Sequence, residues 1–185
     1  MADSEKFRIG LSADFVDADR QLVFPDLGLS LLDDDPRVAY EFMAEYEAEY
    51  TPGQLAPYDD VISLKPLVTA TSLAGVERLA AIGRCGVGYD NVDLGACTAA
   101  DVAVFITPSA VRRPMAESIV LFILALSHRL VWKDRLIRQG QWTESKHGLG
   151  REPRDRVVGM IGLGNIASQA VRLLRPFDIG DFLAA

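Results

Sequence analysis

Residues 156–185 read "RVVGMIGLGNIASQAVRLLRPFDIGDFLAA" and carry the most specific local signal in the chain. The stretch predicts a strand, a glycine-rich turn, a helix and the beginning of a second strand. Gly162, Gly164 and Ala167 occupy the small positions of a G-x-G-x-x-G/A pattern. The first makes the tight turn, the second lets the backbone approach a pyrophosphate, and the third permits close helix–strand packing. The context predicts a dinucleotide-binding unit; the alternative is a purely structural turn between strand and helix.

Two further positions complete this predicted cofactor contact. The amides of Asn165 and Ile166 open the helix and would face the phosphates, aided by the positive end of the helix dipole. An acidic residue that binds the adenosine ribose is expected about 20 residues after the turn. That count leads to a position just beyond Ala185. Asp181 is a poor substitute, because it lies at the start of the predicted strand rather than at its carboxyl end.

Similar strand signals recur along the rest of the chain and alternate with helical segments. They are "FRIGLSA" from Phe7, "DVISL" from Asp60, "LAAIG" from Leu79, "VAVFI" from Val102 and "VVGMI" from Val157. Short apolar strands separated by helices are typical of an α/β protein with a mainly parallel sheet. We expect one domain over residues 1–110, a helix and connector over 111–155, and a second α/β domain beginning at 156.

The segment "RVAYEFMAEYEAEY" predicts a helix on the N-terminal side. Asp35 would cap it, with Pro36 at the first helical position. Val38, Phe42 and Tyr46 would then form one apolar stripe, and the glutamates would form a solvated face.

A second helix is predicted over residues 114–139. Its centre, "IVLFILAL", is apolar all round, which predicts burial on most sides. In a chain of this size such a helix would lie between domains or against a partner subunit. The polar stretch that follows, "GQWTESKHGLGREPRDR", predicts a connector.

Composition restricts the class of protein and of partner. The net charge of −7, without a basic patch, disfavours nucleic-acid and anionic-membrane partners. Cys85 and Cys97 are too few for a disulfide framework and lack metal-ligand spacing, so no metal site is expected and a cytoplasmic location is favoured. The N-terminus lacks the apolar segment of a secretory signal. The longest apolar run, residues 119–126, is far below the roughly 20 residues that span a bilayer.

A second glycine-rich loop, "GRCGVGYDNVD", occupies residues 83–93 directly after a predicted strand. Gly86 and Gly88 leave amides unobstructed at the carboxyl end of that strand, where open α/β sheets bind ligands. Such a nest of N–H groups suits a small carboxylate. Asp90 and Asp93 are expected to cap the next helix, "LGACTAA".

The order of "GRCGVGYDNVD", "VAVFITPSAVRRPMAE" and "VVGMIGLGNIA" resembles the D-isomer-specific 2-hydroxyacid dehydrogenases, a group that includes D-3-phosphoglycerate, glyoxylate/hydroxypyruvate and D-lactate dehydrogenases. The resemblance covers residues 61–185 and, more loosely, the N-terminal strand. It implies a flavodoxin-like parallel-sheet substrate domain, followed by the first βαβ part of a Rossmann NAD-binding domain.

The resemblance also implies roles for particular residues. The amides of Val87 and Gly88 would hold the carboxylate of a small 2-hydroxy or 2-oxo acid. The turn from Gly162 to Ala167 would hold the pyrophosphate of NAD, with NADP as the alternative cofactor. The helix over 114–139 would contribute to a homodimer interface.

One departure from the family pattern lies at "VRRP". Where many members carry a threonine near the nicotinamide, this chain has Arg112, followed by Arg113. Two arginines in the first turn of a helix oppose its dipole, at a cost of about 0.3–1 kcal/mol each. A bound anion, either a phosphorylated substrate or the cofactor, would account for them. The alternative is that they pair with surface carboxylates.

The catalytic residues of the family are not matched in this chain. Hydride transfer from a 2-hydroxy acid needs a general acid/base and a cation beside the oxygen. In the family an arginine, a glutamate and a histidine supply them, and all would fall beyond residue 185. His128, near a helix end, and His147, in the connector, take no catalytic role. Two hypotheses follow: a truncated NAD-dependent dehydrogenase that is inactive alone, or a non-catalytic carboxylate-binding or oligomerisation module derived from that family.

Overall fold

The computed structural model describes residues 6–185, which divide into two compact units. The first unit ends at Pro108 and the second begins at Ser109.

The first unit is built on a parallel sheet of five strands. The strands are β1 (Phe7–Leu11), β2 (Val38–Phe42), β3 (Asp60–Ser63), β4 (Ala81–Arg84) and β5 (Ala103–Ile106). Their spatial order is β2-β1-β3-β4-β5, and every neighbouring pair is parallel. This is the flavodoxin-like order, so the predicted fold class of this unit is confirmed.

Short helices lie in three of the four connections between these strands, and the connection from β3 to β4 contains none. They are α1 (Ser30–Asp33), α2 (Pro52–Leu55) and α3 (Leu94–Ala99), with a 3₁₀ turn at Ala13–Phe15. The core lies within this unit, and its largest fully buried side chains include Phe15, Leu11, Leu55, Ile82 and Val61. A capping box between Thr51 and Gln54 begins α2.

The helix predicted for "RVAYEFMAEYEAEY" is wrong, because Val38–Phe42 forms strand β2. A spacing of four residues fits both periods, since residues 38 and 42 share one face of a strand as well as of a helix. Pairing decides between them: every residue of β2 has a partner in β1. Asp35 closes a turn instead of capping a helix, since its side chain accepts a hydrogen bond from the Arg37 amide at 2.9 Å.

The second unit contains the glycine-rich turn and most of the long apolar segment. Its elements are α4 (Pro108–Ser127), which begins at the last residue of the first unit, α5 (Leu130–Arg138), a 3₁₀ turn (Trp142–His147), β6 (Val157–Met160), α6 (Asn165–Leu174), a 3₁₀ turn (Arg175–Phe177) and β7 (Asp181–Ala184). β6 and β7 pair in parallel around α6. This βαβ arrangement is the one that the sequence predicts for the start of a Rossmann domain.

The single helix predicted over 114–139 is wrong, because the segment forms α4 and α5, bent by 62°. Arg129 adopts a left-handed conformation with φ of 56°, which interrupts the helical backbone between α4 and α5. The Arg151 amide donates to the Ser127 carbonyl at 2.8 Å, so the connector satisfies the end of α4.

Burial of α4 on most sides is also wrong for this chain. Phe122 is 64% exposed and Leu126 is 77% exposed, whereas Ala116 is fully buried. Among residues 6–185, no single helix has the length and apolarity to cross a membrane; α4 and α5 pass that test only when taken together as a bent pair.

Candidate functional site

The loop that follows β4 is held at the carboxyl end of the sheet by backbone hydrogen bonds on both sides. The Cys85 amide donates to the Ser63 carbonyl of β3 at 2.8 Å, and the Thr107 amide, after β5, donates to the Gly86 carbonyl at 2.8 Å. Gly86 itself has φ of +148°, which L side chains rarely adopt. The loop therefore leaves the sheet at a defined point, where ligands of open α/β sheets bind.

The amides of Val87 and Gly88, which the sequence predicts as the carboxylate site, are available to a ligand. Within the described part of the chain, neither N–H has a hydrogen-bond acceptor. Gly88 is exposed and Val87 is partly exposed. An open cleft of about 280 Å³ lies here, lined by Leu64, Lys65, Arg84, Gly88, Asp90 and Asn91. Two adjacent backbone amides without an acceptor are the kind of donors from which a carboxylate oxygen accepts hydrogen bonds.

A second loop, residues 64–67, forms the other wall of the cleft and is attached to the first. The Asn91 side chain donates to the Pro66 carbonyl at 3.1 Å. The Val68 amide donates to the Asn91 carbonyl at 2.8 Å, and the Asp93 amide donates to the Val68 carbonyl at 2.9 Å. Sequence reasoning missed Asn91 because its partners lie more than twenty residues away along the chain.

Side chains after β1 fix the start of this second loop. The Ser12 hydroxyl donates to Asp14 Oδ1 at 2.6 Å and accepts from the Leu64 amide at 3.1 Å. Asp14 Oδ2 accepts from the Lys65 amide at 3.1 Å. Ser12 is fully buried, so this network positions residues 64 and 65 from beneath.

Tyr50 supports the same edge of the sheet from inside the core. Its hydroxyl donates to Ser63 Oγ at 2.9 Å, and both residues are buried. Burial raises the pKa of Tyr50 to about 12, because the interior disfavours a phenolate. Tyr50 therefore remains a neutral hydrogen-bond donor over the physiological range.

Arg84, the last residue of β4, folds back over its own loop. Its Nη1 donates to the Cys85 carbonyl at 2.7 Å, and its Nε is buried without a hydrogen-bond partner. A Cβ at Gly86 would lie 1.3 Å from Nη1, so a side chain there would displace the guanidinium from this position. A buried donor without a partner costs about 1–3 kcal/mol. The sequence analysis gave Arg84 no role. Its position within the glycine-rich loop was the one feature of the sequence that could have indicated one.

The predicted cap of α3 is correct for one of its two aspartates. Asp93 is the N-cap, and its Oδ1 accepts from the Ala96 amide at 2.9 Å. Asp90 does not cap this helix; its Oδ2 lies 3.5 Å from the position of a Cβ on Gly88, beside the cleft.

The glycine-rich turn between β6 and α6 leaves open space beside its glycines, as a phosphate cradle requires. Gly162 has φ of +85°, and a Cβ on Gly162 or Gly164 would meet no atom within 4 Å. Gly164 is the N-cap of α6 and provides no side-chain cap. The first intrahelical bond runs from the Ser168 amide to the Gly164 carbonyl, which leaves the amides of Asn165, Ile166 and Ala167 free for a ligand.

The prediction that Arg112 and Arg113 lie in the first turn of a helix is wrong. Because α4 begins at Pro108, both occupy its second turn, where they oppose the dipole less. Arg113 forms an ion pair with Glu117, one turn further along, which matches the alternative of pairing with a surface carboxylate. Arg112 is exposed.

The remaining candidate residues take ordinary positions. His128 directly follows α4 and His147 ends a 3₁₀ turn, and both are exposed. Cys85 is partly exposed, whereas Cys97 is buried, and burial raises the pKa of the Cys97 thiol. In the part of the chain that the structure describes, no group of three or more His, Cys, Asp or Glu side chains is placed to hold a metal ion.

Comparison with known proteins gives a family match over most of the chain. The model for the catalytic domain of D-isomer specific 2-hydroxyacid dehydrogenases matches residues 23–171. D-3-phosphoglycerate dehydrogenase of Archaeoglobus fulgidus is 29% identical over 119 residues, which cover 64% of this chain and 22% of that protein. 4-Methyl-2-oxopentanoate reductase A of Aspergillus oryzae is 35% identical over 133 residues, covering 66% of this chain and 40% of the reductase.

Solved structures share the fold of the chain. The NAD-dependent formate dehydrogenase of Staphylococcus aureus, in complex with NAD, matches with a TM-score of 0.77 and 19% identity, covering 96% of this chain and 56% of that one. At this identity the likeness concerns the fold alone. The chain thus spans less than half the length of those two curated relatives and about half the length of this solved structure.

Proposed function

The chain belongs to the D-isomer-specific 2-hydroxyacid dehydrogenase family, and we propose that it carries the acid-binding and pyrophosphate-binding parts of an NAD-dependent oxidoreductase. The single observation that supports this most is the pair of backbone donor sets that have no acceptor within the described residues, one after β4 and one at the start of α6. NAD supplies the hydride acceptor or donor when it is bound. The protein's own groups bind and orient the two reactants.

The acid would bind through its carboxylate to the amides of Val87 and Gly88. These amides have no competing acceptor in the described residues, and the loop that carries them is fixed at Cys85 and Gly86. Charge-assisted hydrogen bonds from backbone N–H groups are among the stronger ones, and a rigid loop loses little entropy when the acid binds. The substrate would be a small 2-hydroxy or 2-oxo acid.

The pyrophosphate of NAD would lie against Gly162 and Gly164, with the amides of Asn165, Ile166 and Ala167 directed at it. The open space above both glycines and the uncapped start of α6 support this assignment. The partial positive charge of a helix N-terminus adds to the attraction.

We propose that the isolated chain does not turn over substrate. Proton transfer to or from the C2 oxygen needs a general acid/base, which in this family is a histidine. Both histidines of the chain lie in the second unit and are exposed, and the first unit, which carries the acid site, contains none. The catalytic arginine, glutamate and histidine would come from outside residues 6–185.

The exposed apolar side chains of α4 would be covered by a second copy of the chain. Met115, Leu121, Phe122 and Leu126 are between 48% and 77% exposed. A helix with such a surface is typical of an interface. Sedimentation of the wild type as a dimer and of Phe122→Glu as a monomer would support this arrangement. The two free cysteines favour a reducing, cytoplasmic location.

The experiment that tests the main proposal measures NADH binding and turnover separately. Calorimetry should give NADH binding to the wild-type chain and at least about tenfold weaker binding to Gly164→Val, because a branched side chain would fill the phosphate position. The melting temperature of this variant should fall only slightly, since a Cβ there meets no atom and valine is merely a poorer N-cap than glycine. NADH-dependent reduction of glyoxylate or hydroxypyruvate should not exceed background.

Three outcomes distinguish the proposals. Turnover by the isolated chain would contradict the claim that it is inert. Carboxylate binding without NADH binding would favour the second candidate, a carboxylate-binding module. That candidate is supported by the complete sheet and core of the first unit. Equal NADH affinity of wild type and Gly164→Val would rule out the proposed cradle.

A further inference from the structure

We propose that a cavity beside the start of β6 binds an anionic amphiphile, a single aliphatic chain that ends in a carboxylate or phosphate head group. The cavity lies within the second unit, and the proposal is independent of the acid and NAD sites. Its walls are the end of α4, the connector (residues 140–156) and the first residues of β6. Its volume of about 660 Å³ is within the range of small-molecule sites.

Two glycines hold the connector against the helices and so fix one wall of the cavity. A Cβ on Gly150 would lie 2.5 Å from the Cα of His128, so a side chain there would push the connector away from the end of α4. A Cβ on Gly148 would lie 1.8 Å from the Trp132 ring of α5. The connector is therefore packed against both helices, and the wall that it forms is defined by close contacts.

The apolar part of the lining is aliphatic. Leu126 and Leu149 are 77% and 78% exposed, so a ligand chain that covers them gains free energy by removing apolar surface from water. A planar aromatic ligand would gain most by stacking on aromatic side chains, and none of the described residues that line the cavity is aromatic. The lining therefore favours an alkyl chain. Its aliphatic members are Ile123, Leu126, Leu149, Val157 and Val158.

Three arginines supply the complementary charge for the head group. Arg129, Arg151 and Arg156 line the cavity and are exposed. Within residues 6–185, none of the three guanidiniums forms an ion pair or a hydrogen bond. Arg129 lies over the Trp132 ring, 5.1 Å from its centroid. Guanidinium groups bind the oxygens of carboxylates and phosphates through paired hydrogen bonds, so these arginines favour either head group.

The charge around the cavity also favours an anion. Twelve of the 19 lysines and arginines lie in residues 109–185, together with only seven of the 26 acidic residues. Glu152, the acidic residue of the lining, is engaged by Arg154, whose Nε lies 3.6 Å from its Oε2. The second unit thus combines an excess of positive charge with an apolar wall, in a chain whose net charge is −7.

The test titrates dodecanoate and dodecyl phosphate, each below its critical micelle concentration, into the ¹⁵N-labelled chain. The amide resonances of Arg151 and Val158 report on the cavity, and those of Val87 and Gly88 report on the acid site. We expect the cavity resonances to shift first. Dodecanoate should bind at least about a hundredfold more tightly than acetate, because each buried methylene adds about threefold to fourfold. Dodecyltrimethylammonium, with the same chain and a positive head group, should bind at least about tenfold more weakly than dodecanoate.

Single substitutions assign the affinity to the two parts of the cavity. Arg151→Gln should weaken dodecanoate binding about fivefold or more without weakening dodecyltrimethylammonium binding. Leu149→Ser should weaken binding of both amphiphiles about fivefold, because it removes apolar area. Both side chains are exposed, so both variants should fold like the wild type. Lys133→Gln removes a positive charge from α5 outside the lining and serves as the matched control, with no expected change.

Four outcomes would overturn the proposal. Shifts at Val87 and Gly88 without shifts at Arg151 and Val158 would assign the ligand to the acid site. Equal affinities for dodecanoate and dodecyltrimethylammonium would indicate apolar adsorption alone. Equal losses in Arg151→Gln and Lys133→Gln would attribute binding to the overall charge of the unit. Cosedimentation with phosphatidylglycerol vesicles, without binding of monomeric dodecanoate, would assign the arginines to a membrane surface instead of this cavity.

Discussion

In the first unit, five parallel strands enclose a core in which Leu55, Val61 and Ile82 are fully buried. In the second unit, two parallel strands leave Val157 and Leu183 exposed by 58% and 63%. Both units use the same local chemistry of strand, glycine turn and helix. The difference arises because strand side chains point to the two faces of a sheet, and a sheet of two strands offers little surface for other elements to cover.

The same contrast applies to the two glycine-rich turns. The loop after β4 is fixed by hydrogen bonds from Cys85 and Thr107 within a complete sheet. The turn after β6 is attached through the Gly162 amide to the Ala185 carbonyl. We infer that the acid site is preformed in the first unit, whereas the phosphate site depends on a less buried support.

The strongest test compares one leucine from each unit, buried in the first and exposed in the second. Leu55→Ala should lower the free energy of unfolding of the first unit by about 2–5 kcal/mol, because it creates a cavity in the core. Leu183→Ala should cost about 0.5 kcal/mol or less, since that side chain is largely exposed. Denaturant melts followed by circular dichroism measure both. Equal costs would contradict the contrast in burial.

The next test concerns an ion pair at the opposite edge of the first sheet. Burial by itself would raise the pKa of Asp59, but hydrogen bonds from the Arg78 guanidinium and the Arg8 amide outweigh it and lower the pKa below 3.8. The resulting stabilisation is present above that ordinary value and is lost as the pH falls through the folded-state pKa. Asp59→Asn should cost about 1–3 kcal/mol near neutral pH. The free energy of unfolding of the variant should depend less on pH in the acid range than that of the wild type. An unchanged pH dependence would argue against this assignment.

A smaller effect is expected on the alkaline side. Burial raises the pKa of Tyr50 from 10.0 to about 12, so the folded state holds a proton that the unfolded state releases. Stability from this group is therefore complete below pH 10.0 and is lost as the pH rises toward about 12. Tyr50→Phe should cost about 0.5–1.5 kcal/mol at neutral pH, where the hydrogen bond to Ser63 is lost. In the same variant the melting temperature should fall less steeply with pH in the alkaline range, which melting curves recorded at several pH values measure.

The smallest effect distinguishes the two helix starts. α3 is capped by Asp93, whereas α6 begins at Gly164 without a side-chain cap. Gly164→Ser should stabilise α6 by a few tenths of a kcal/mol, because a hydroxyl can accept from the free amides. The same change should weaken NADH binding, since the hydroxyl competes for those amides. Thermal melts and calorimetry on one preparation measure both effects, and stronger NADH binding would contradict the role assigned to the amides.

Several elements could be predicted from the sequence because their signals are local. β-branched runs predict strands β1, β3, β4 and β5, and the spacing of Gly162, Gly164 and Ala167 predicts the turn before α6. The cap at Asp93 was equally predictable, since a capping aspartate acts within three residues of itself. The accessible amides of Val87 and Gly88 could also be predicted, because Gly86 and Gly88 carry no side chains that would obstruct them.

Other features could not be predicted, because they depend on residues that are distant in sequence. Val38–Phe42 fits a helix and a strand equally well by its spacing, and only pairing with β1 makes it β2. The break at Arg129 is accompanied by a hydrogen bond from the distant Arg151 amide to the Ser127 carbonyl at the end of α4. Exposure of α4 could not be read from its composition, since apolar residues predict burial without identifying what covers them.

The sequence by itself determined the family and the two glycine-rich turns, because glycine conformations, caps and strand-forming runs act over a few residues. The tertiary structure decided what surrounds those turns. It placed Lys65 and Arg84 at one edge, joined the loops through Asn91, and buried Ser12 beneath them. These contacts arise when parallel strands align their carboxyl ends, and that alignment depends on strand order rather than on any single stretch of sequence.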